Sequence, residues 1–154
     1  MALHLVQGGV MTVEAITSVM GGSKTLKRKI ATSPELVAFT REGIPAATLS
    51  KLAEGLTMDR RSVARAVGIS ERTLSRRLHS QSRLSAEESD RTIRLARIFA
   101  LSTDVLSTRE NAARWLQEPN RALDGRTPFE LLDTDTGVQE VETILGRIMY
   151  GLFS

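Results

Sequence analysis

Residues 60–78 read RRSVARAVGISERTLSRRL, and the fold follows from how their apolar positions are spaced. Val63, Ala64 and Val67 lie on one face of a helix, because positions three and four apart stack on the same side. Gly68 then breaks the run, and glycine alone enters the left-handed backbone region without steric cost. Ile69 supplies an apolar contact and Ser70 a capping hydroxyl, after which Leu74 and Leu78 define the inward stripe of a second helix. Two short helices joined by a glycine turn form a helix-turn-helix. Ala64 marks the crossing, where a small side chain permits close approach.

Outside that stripe the second helix presents Glu71, Arg72, Thr73, Ser75, Arg76 and Arg77, side chains suited to a major groove. The candidates for base edges or nearby contacts are Ser70, Arg72, Thr73 and Arg76, with Ser75 beside them. Arg60, Arg61 and Arg77 are the candidates for phosphates, which set affinity and salt dependence rather than sequence choice. Charge supports this division. Residues 58–97 carry ten arginines and five acidic groups, a net +5, whereas residues 98–154 carry five basic and nine acidic groups, a net −4. A basic middle and an acidic end imply different partners for the two parts. A single small module grips DNA weakly, so a homodimer on two half-sites is expected. The competing reading is a solvated basic helix pair in an ordinary bundle.

Working outward, the chain reads as all-α. Helices are predicted at about 12–20, 34–42, 46–55, 59–67, 71–79, 86–101, 108–117, 127–132 and 137–150. Ser33-Pro34-Glu35 has an N-cap followed by proline at the first helical position. Ser85…Glu88, Ser107…Glu110, Thr127…Glu130 and Thr136…Gln139 each have capping-box spacing ahead of an apolar run. Residues 21–33, GGSKTLKRKIATS, read as a linker after a short helix. GGSKT lacks the upstream glycine and strand of a phosphate-binding loop.

The chain has 154 residues and no cysteine, which removes thiolate metal sites, disulfides and cysteine nucleophiles. Its histidines, His4 and His79, are far apart in sequence. Asp133 and Asp135 sit beside Thr136, where a turn and a helix N-terminus explain them better than a metal does. No acid–base constellation stands out, so an enzyme is the least expected class and no cofactor is implied. Neither a membrane span nor a signal peptide is evident, and a cytoplasmic location is the default expectation.

The last segment, GVQEVETILGRIMYGLFS (137–154), carries Val138, Val141, Leu145, Ile148 and Leu152 at helical spacing, broadened by Ile144 and Met149. That is more apolar surface than one edge helix needs, and completing the core is the plainest use for it. Trp115 is expected in the core beneath the turns around Pro119-Asn120 and Asp124-Gly125.

Two resemblances cover residues 35–154. The 60–78 stretch resembles the helix-turn-helix of Xre/Cro-type repressors, departing from it at Arg77, where an aliphatic residue is usual. Trp115, Leu116, Pro119, Asn120, Leu123, Gly125, Thr127, Pro128, Leu131, Leu132, Thr134 and Gly137, followed by Arg147, Ile148, Tyr150 and Gly151, resemble the toxin-binding domain of Xre/MbcA/ParS antitoxins. This resemblance implies three parts: a variable extension over 1–33, a DNA-binding domain over 34–97 and a toxin-binding domain over 98–154. It further implies an antitoxin that neutralises a RES-domain toxin, an enzyme that degrades NAD. Its C-terminal helix and tail would cover the toxin's active site, and its helix-turn-helix would repress its own operon. Arg147, Met149, Tyr150, Gly151, Leu152, Phe153 and Ser154 are then the toxin-binding candidates. The alternative is an operon repressor without a toxin partner, which leaves the C-terminal stripe unexplained.

Overall fold

The computed structural model describes residues 11–151, and within them the architecture is helical throughout. The elements are α1 (Val13–Val19), α2 (Gly22–Leu26), α3 (Ser33–Glu42), α4 (Ala47–Leu56), α5 (Arg60–Ala66), α6 (Glu71–Ser80), α7 (Ala86–Leu106), α8 (Arg109–Leu116) and α9 (Asp135–Met149). Two 3₁₀ turns, Arg121–Leu123 and Pro128–Leu131, connect α8 to α9. A single antiparallel bridge, Pro45 to Arg83, ties the approach to α4 to the exit from α6.

The organising element is α7. Its 21 residues span roughly 30 Å at 1.5 Å per residue, enough to cross a small domain. It packs against α1, α3, α8 and α9. Leu95, Ala96, Ile98, Phe99 and Leu101 on α7 are buried with Leu49, Leu52 and Leu56 of α4, Val63 and Ala64 of α5, and Val138, Val141 and Leu145 of α9. One continuous apolar cluster therefore runs through both halves of the chain. The boundary expected at residues 97/98 falls in the middle of α7.

Several sequence expectations need correcting. Residues 21–33 are not a plain linker: they contain α2, and Leu26 and Ile30 are buried in the common core. The apolar spacing of Leu26 and Ile30 is the signal that the glycines and lysines around it obscured. Helix α3 is capped by Thr32, not Ser33; Thr32 accepts from the Glu35 N–H while Glu35 accepts from the Thr32 N–H at 2.9 Å. The boxes at Ser85/Glu88 and Thr127/Glu130 form as expected. The other two shift: Thr108 caps α8 by accepting from the Asn111 N–H, and Thr134 caps α9 by accepting from the Gly137 N–H, both at 3.0 Å. Helix α7 also runs five residues past its expected end at 101, stopping at Ser107 with φ +83°.

Gly137 shows why α9 starts where it does. A Cβ built there would lie 1.9 Å from the carbonyl oxygen of Leu131, so the helix start presses directly on the preceding 3₁₀ turn. Backbone rather than a flexible side chain is the obstacle. Gly137→Ala should cost about 1–3 kcal/mol through forced separation of the two elements. That corresponds to a Tm lower by roughly 3–10 °C in a chain of this size, measurable by thermal unfolding; an unchanged Tm would refute the close approach.

Acid sensitivity is also built in. Burial pushes the Glu88 carboxyl up, but the Arg77 guanidinium and the Ser85 N–H outweigh it and hold its pKa below the ordinary value. Glu35, Asp59 and Glu130 are likewise held down, first of all by backbone N–H groups at helix starts, and Glu42 by Arg28. A carboxylate with a depressed native pKa adds stability above its unfolded pKa and loses it as pH falls through the native one. The melting temperature should hold near neutrality and drop as pH falls below about 4.5. Glu88→Gln should cost about 2 kcal/mol at pH 7, since the lost hydrogen bonds are charged, with the difference from the parent chain narrowing in acid. A pH-independent difference would show that packing, not charge, is what the substitution removes.

Candidate functional site

The helix-turn-helix is formed by α5 and α6. Asp59 caps α5 by accepting from the Ser62 N–H at 2.8 Å. Gly68 adopts φ +80° at the turn, Ile69 is buried beneath it, and Ala64 is fully buried where the helices meet. Ser70 caps α6 by accepting from the Thr73 N–H at 3.1 Å and donates its own hydroxyl to Thr73 Oγ1 at 2.9 Å. Leu74 is buried and Leu78 half-buried, which turns the opposite side of α6 outward.

The candidate DNA contacts divide into three groups. Arg72 and Arg76, four residues apart and both exposed, share the outer face of α6, with Ser75 exposed beside them. Arg60 is exposed at the start of α5. Arg61 is also exposed, but its Nε lies 3.2 Å from the Glu71 carboxylate, a pairing worth little in water and easily exchanged for a phosphate. Ser70 and Thr73 spend hydroxyl hydrogen bonds on the cap.

Arg77 is different. It is half-buried, directed at α7 and ion-paired with Glu88, so the structure moves it out of the outward set. Its departure from the aliphatic pattern thus has a structural partner: the carboxylate that also completes the α7 capping box. His79 is exposed seven residues after Arg72, two helical turns along the same face, and Arg65 is exposed on α5. Both were absent from the sequence-derived set. The helical period from Arg72 carried the signal for His79.

At the other end, Val138, Val141, Ile144 and Leu145 are buried, while Ile148 and Met149 are half-buried. The stripe therefore does complete the core, as far as Leu145. Arg97 on α7 holds the opposite edge of α9 through Glu142 at 3.2 Å. Beyond the core the character changes. Arg147 is exposed, Tyr150 is 53% exposed, and Gly151 is exposed with φ +68°. Leu152, Phe153 and Ser154 lie outside the described residues. Trp115 is half-buried against the core, and Asp135 in the first turn of α9 lies 3.8 Å from Arg94. Asp124, Glu130, Asp133, Asp135 and Glu140 make the surface around the 3₁₀ turns and the start of α9 acidic.

The fold and these two surfaces define a class: an all-α regulator with a helix-turn-helix joined through one core to an acidic helical module. Residues 35–97 match the antitoxin Xre-like helix-turn-helix domain, and residues 101–151 match the antitoxin Xre/MbcA/ParS C-terminal toxin-binding domain. The chain is 32% identical over 125 residues to "Antitoxin Xre" of Photorhabdus laumondii, covering 80% of this chain and 84% of that protein. It is 26% identical over 133 residues to "Prs ADP-ribosylating antitoxin" of a Sphingobium species, covering 84% of it. One chain in the crystal structure of the M. tuberculosis MbcT–MbcA toxin–antitoxin complex matches with a TM-score of 0.53 and 28% identity, over 71% of this chain and 96% of that one. The chain belongs to the Xre/MbcA/ParS family of antitoxins, and carries the family's toxin-binding domain. Among the described residues, no helix is long and apolar enough to cross a membrane.

Proposed function

We propose that this antitoxin inhibits a RES-domain, NAD-degrading toxin by laying the last turn of α9 and the tail over its active site. Residues 98–154 serve this contact, and residues 34–97 repress the protein's own operon through α6. The observation that carries the first half is the change at the end of α9. Its stripe is buried as far as Leu145, yet Tyr150 leaves the core and stands more than half exposed at the base of an apolar C-terminal sequence. An amphipathic aromatic at such a position is typical of an interface anchor. The acidic surface around the start of α9, at the other end of that helix, suits a toxin that must accept an anionic dinucleotide and is therefore basic. The name of the Sphingobium relative adds support, since ADP-ribosylation draws its ADP-ribose from NAD.

For the second half, the supporting geometry is the outward face of Arg72, Arg76 and Ser75 on a helix braced by the buried Val67 and Ile69 on either side of the Gly68 turn. A homodimer presenting two such helices would read half-sites one helical turn apart, about 34 Å on B-DNA. The direct test is truncation after Met149, assayed for toxin neutralisation and operator binding in parallel. Protection that survives the truncation would sink the occlusion reading.

A further inference from the structure

Residues 24–29 read KTLKRK, four cations with no acidic residue, and they lie before either family match begins. The structure separates these cations. Arg28 turns to Glu42 at 3.0 Å and stacks over the Phe39 ring, with 4.5 Å to its centroid, and Lys29 lines a different depression. Lys24 and Lys27, by contrast, line a cleft of about 460 Å³ whose other walls are the start of α4 and the end of α6. Lys51, one turn into α4, adds a third ammonium; Arg77, paired with Glu88, and Leu78 contribute from α6, and Gln81 and Ser82 from just beyond its end.

No carboxylate lines this cleft. Lys24 and Lys27 have no ion-pair partner among the described residues, and Lys51 has an exposed neighbour, Glu54, at a loose 3.8 Å. Lysines from α2, its C-cap and α4 thus line one cleft without a carboxylate among them, a setting of like charge that favours an anion. Lysine ammoniums act as point charges, which suits the diffuse charge of a phosphate. The wall formed by α6 says which phosphate. Groups flanking a helix seated in the major groove lie beside its ends, and this cleft opens at the C-terminal end of the helix proposed to read DNA.

We propose that this cleft receives a backbone phosphate of the operator flanking the groove, so that the segment before the helix-turn-helix enlarges the DNA footprint. The inference rests on the DNA-binding reading of α6. Residues 21–33 then do two jobs: Leu26 and Ile30 anchor the segment in the core, and Lys24 and Lys27 meet DNA from it.

The test is Lys24→Gln with Lys27→Gln in the full chain, titrated on a duplex taken from immediately upstream of its reading frame across a range of salt concentrations. Both side chains are exposed, and glutamine keeps their stems, so the melting temperature should be unchanged. Each phosphate neutralised contributes about 0.9 to the slope of log affinity against log salt, so losing the one in this cleft should make the double variant's slope shallower by about one. Lys29→Gln, the control from the same basic run, should leave the slope as it is. If the parent chain binds and Arg72→Ala weakens it, yet the double variant keeps the parental slope, the cleft assignment alone is overturned. If the parent chain does not bind the duplex at all, the DNA reading falls and takes this one with it. Saturable pyrophosphate binding that needs Lys24 and Lys27, with the DNA slope unchanged, would put a free anion in the cleft and also overturn it.

Discussion

A chain truncated after Met149 is expected to fold and bind operator DNA normally, yet to bind its toxin at least about 30-fold more weakly, from the loss of one or more interface anchors worth about 2 kcal/mol or more each. The cut has to fall there. Leu145 is fully buried and Met149 still packs against the core, so removing α9 from Leu145 onward would open a cavity and confuse loss of contact with loss of fold. Tyr150 is more than half exposed, and losing an exposed group usually costs within about 0.5 kcal/mol. The melting temperature of the truncated chain should therefore stay within roughly 2 °C of the parent. Tyr150→Ala should reproduce a large part of the affinity loss by itself. Full neutralisation by the truncated chain, at matched expression, would return the apolar ending to a purely structural role and favour an operon repressor without a toxin partner.

The second large effect concerns α6. Arg72→Ala with Arg76→Ala should weaken operator binding by about 30-fold or more, since each well-placed arginine–base contact contributes about 1–3 kcal/mol. Both side chains are exposed and alanine favours helix, so circular dichroism should show no loss of helicity. The same double variant should still neutralise toxin, because its outer face is remote in sequence from α9 and lies outside the toxin-binding domain match. Arg77→Ala makes an instructive contrast. Removing it leaves the Glu88 carboxylate without its ion pair, so the expected loss is in stability first, with any DNA effect following from that. Equal operator affinity for the Arg72/Arg76 variant and the parent would place the DNA surface elsewhere.

How much of this was legible in the chain depends on the range of the interaction concerned. The helix-turn-helix was readable because its signals are local: Ala64, Gly68, Ile69, Ser70 and Leu74 each act on neighbours within a turn or two. Caps at Ser85 and Thr127 were readable for the same reason. Those at Thr108 and Thr134 were misplaced by one or two residues because adjacent hydroxyls compete, and a capping hydroxyl at either position has a plausible local partner. What decided between Thr134 and Thr136 is not local. The carbonyl of Leu131 lies where a side chain at position 137 would go, and that approach sets the start of α9.

Arg77 and residues 21–33 teach the same lesson on a larger scale. Read alone, Arg77 is one more cation on a basic helix; Glu88, eleven residues on, turns it inward. Read alone, GGSKTLKRKIATS is a polar connector; in the structure Leu26 and Ile30 reach the shared core, and Lys24 and Lys27 join Lys51 around one cleft. The sequence by itself determined the all-α class, the helix-turn-helix, the family and the apolar ending, because helical periodicity, capping chemistry and turn residues are short-range. Only the tertiary structure decided which arginines are free, where the C-terminal stripe stops being core, and that the basic segment before the helix-turn-helix is folded against it. Those outcomes depend on which distant side chains compete for the same space and charge, and no spacing along the chain encodes that competition.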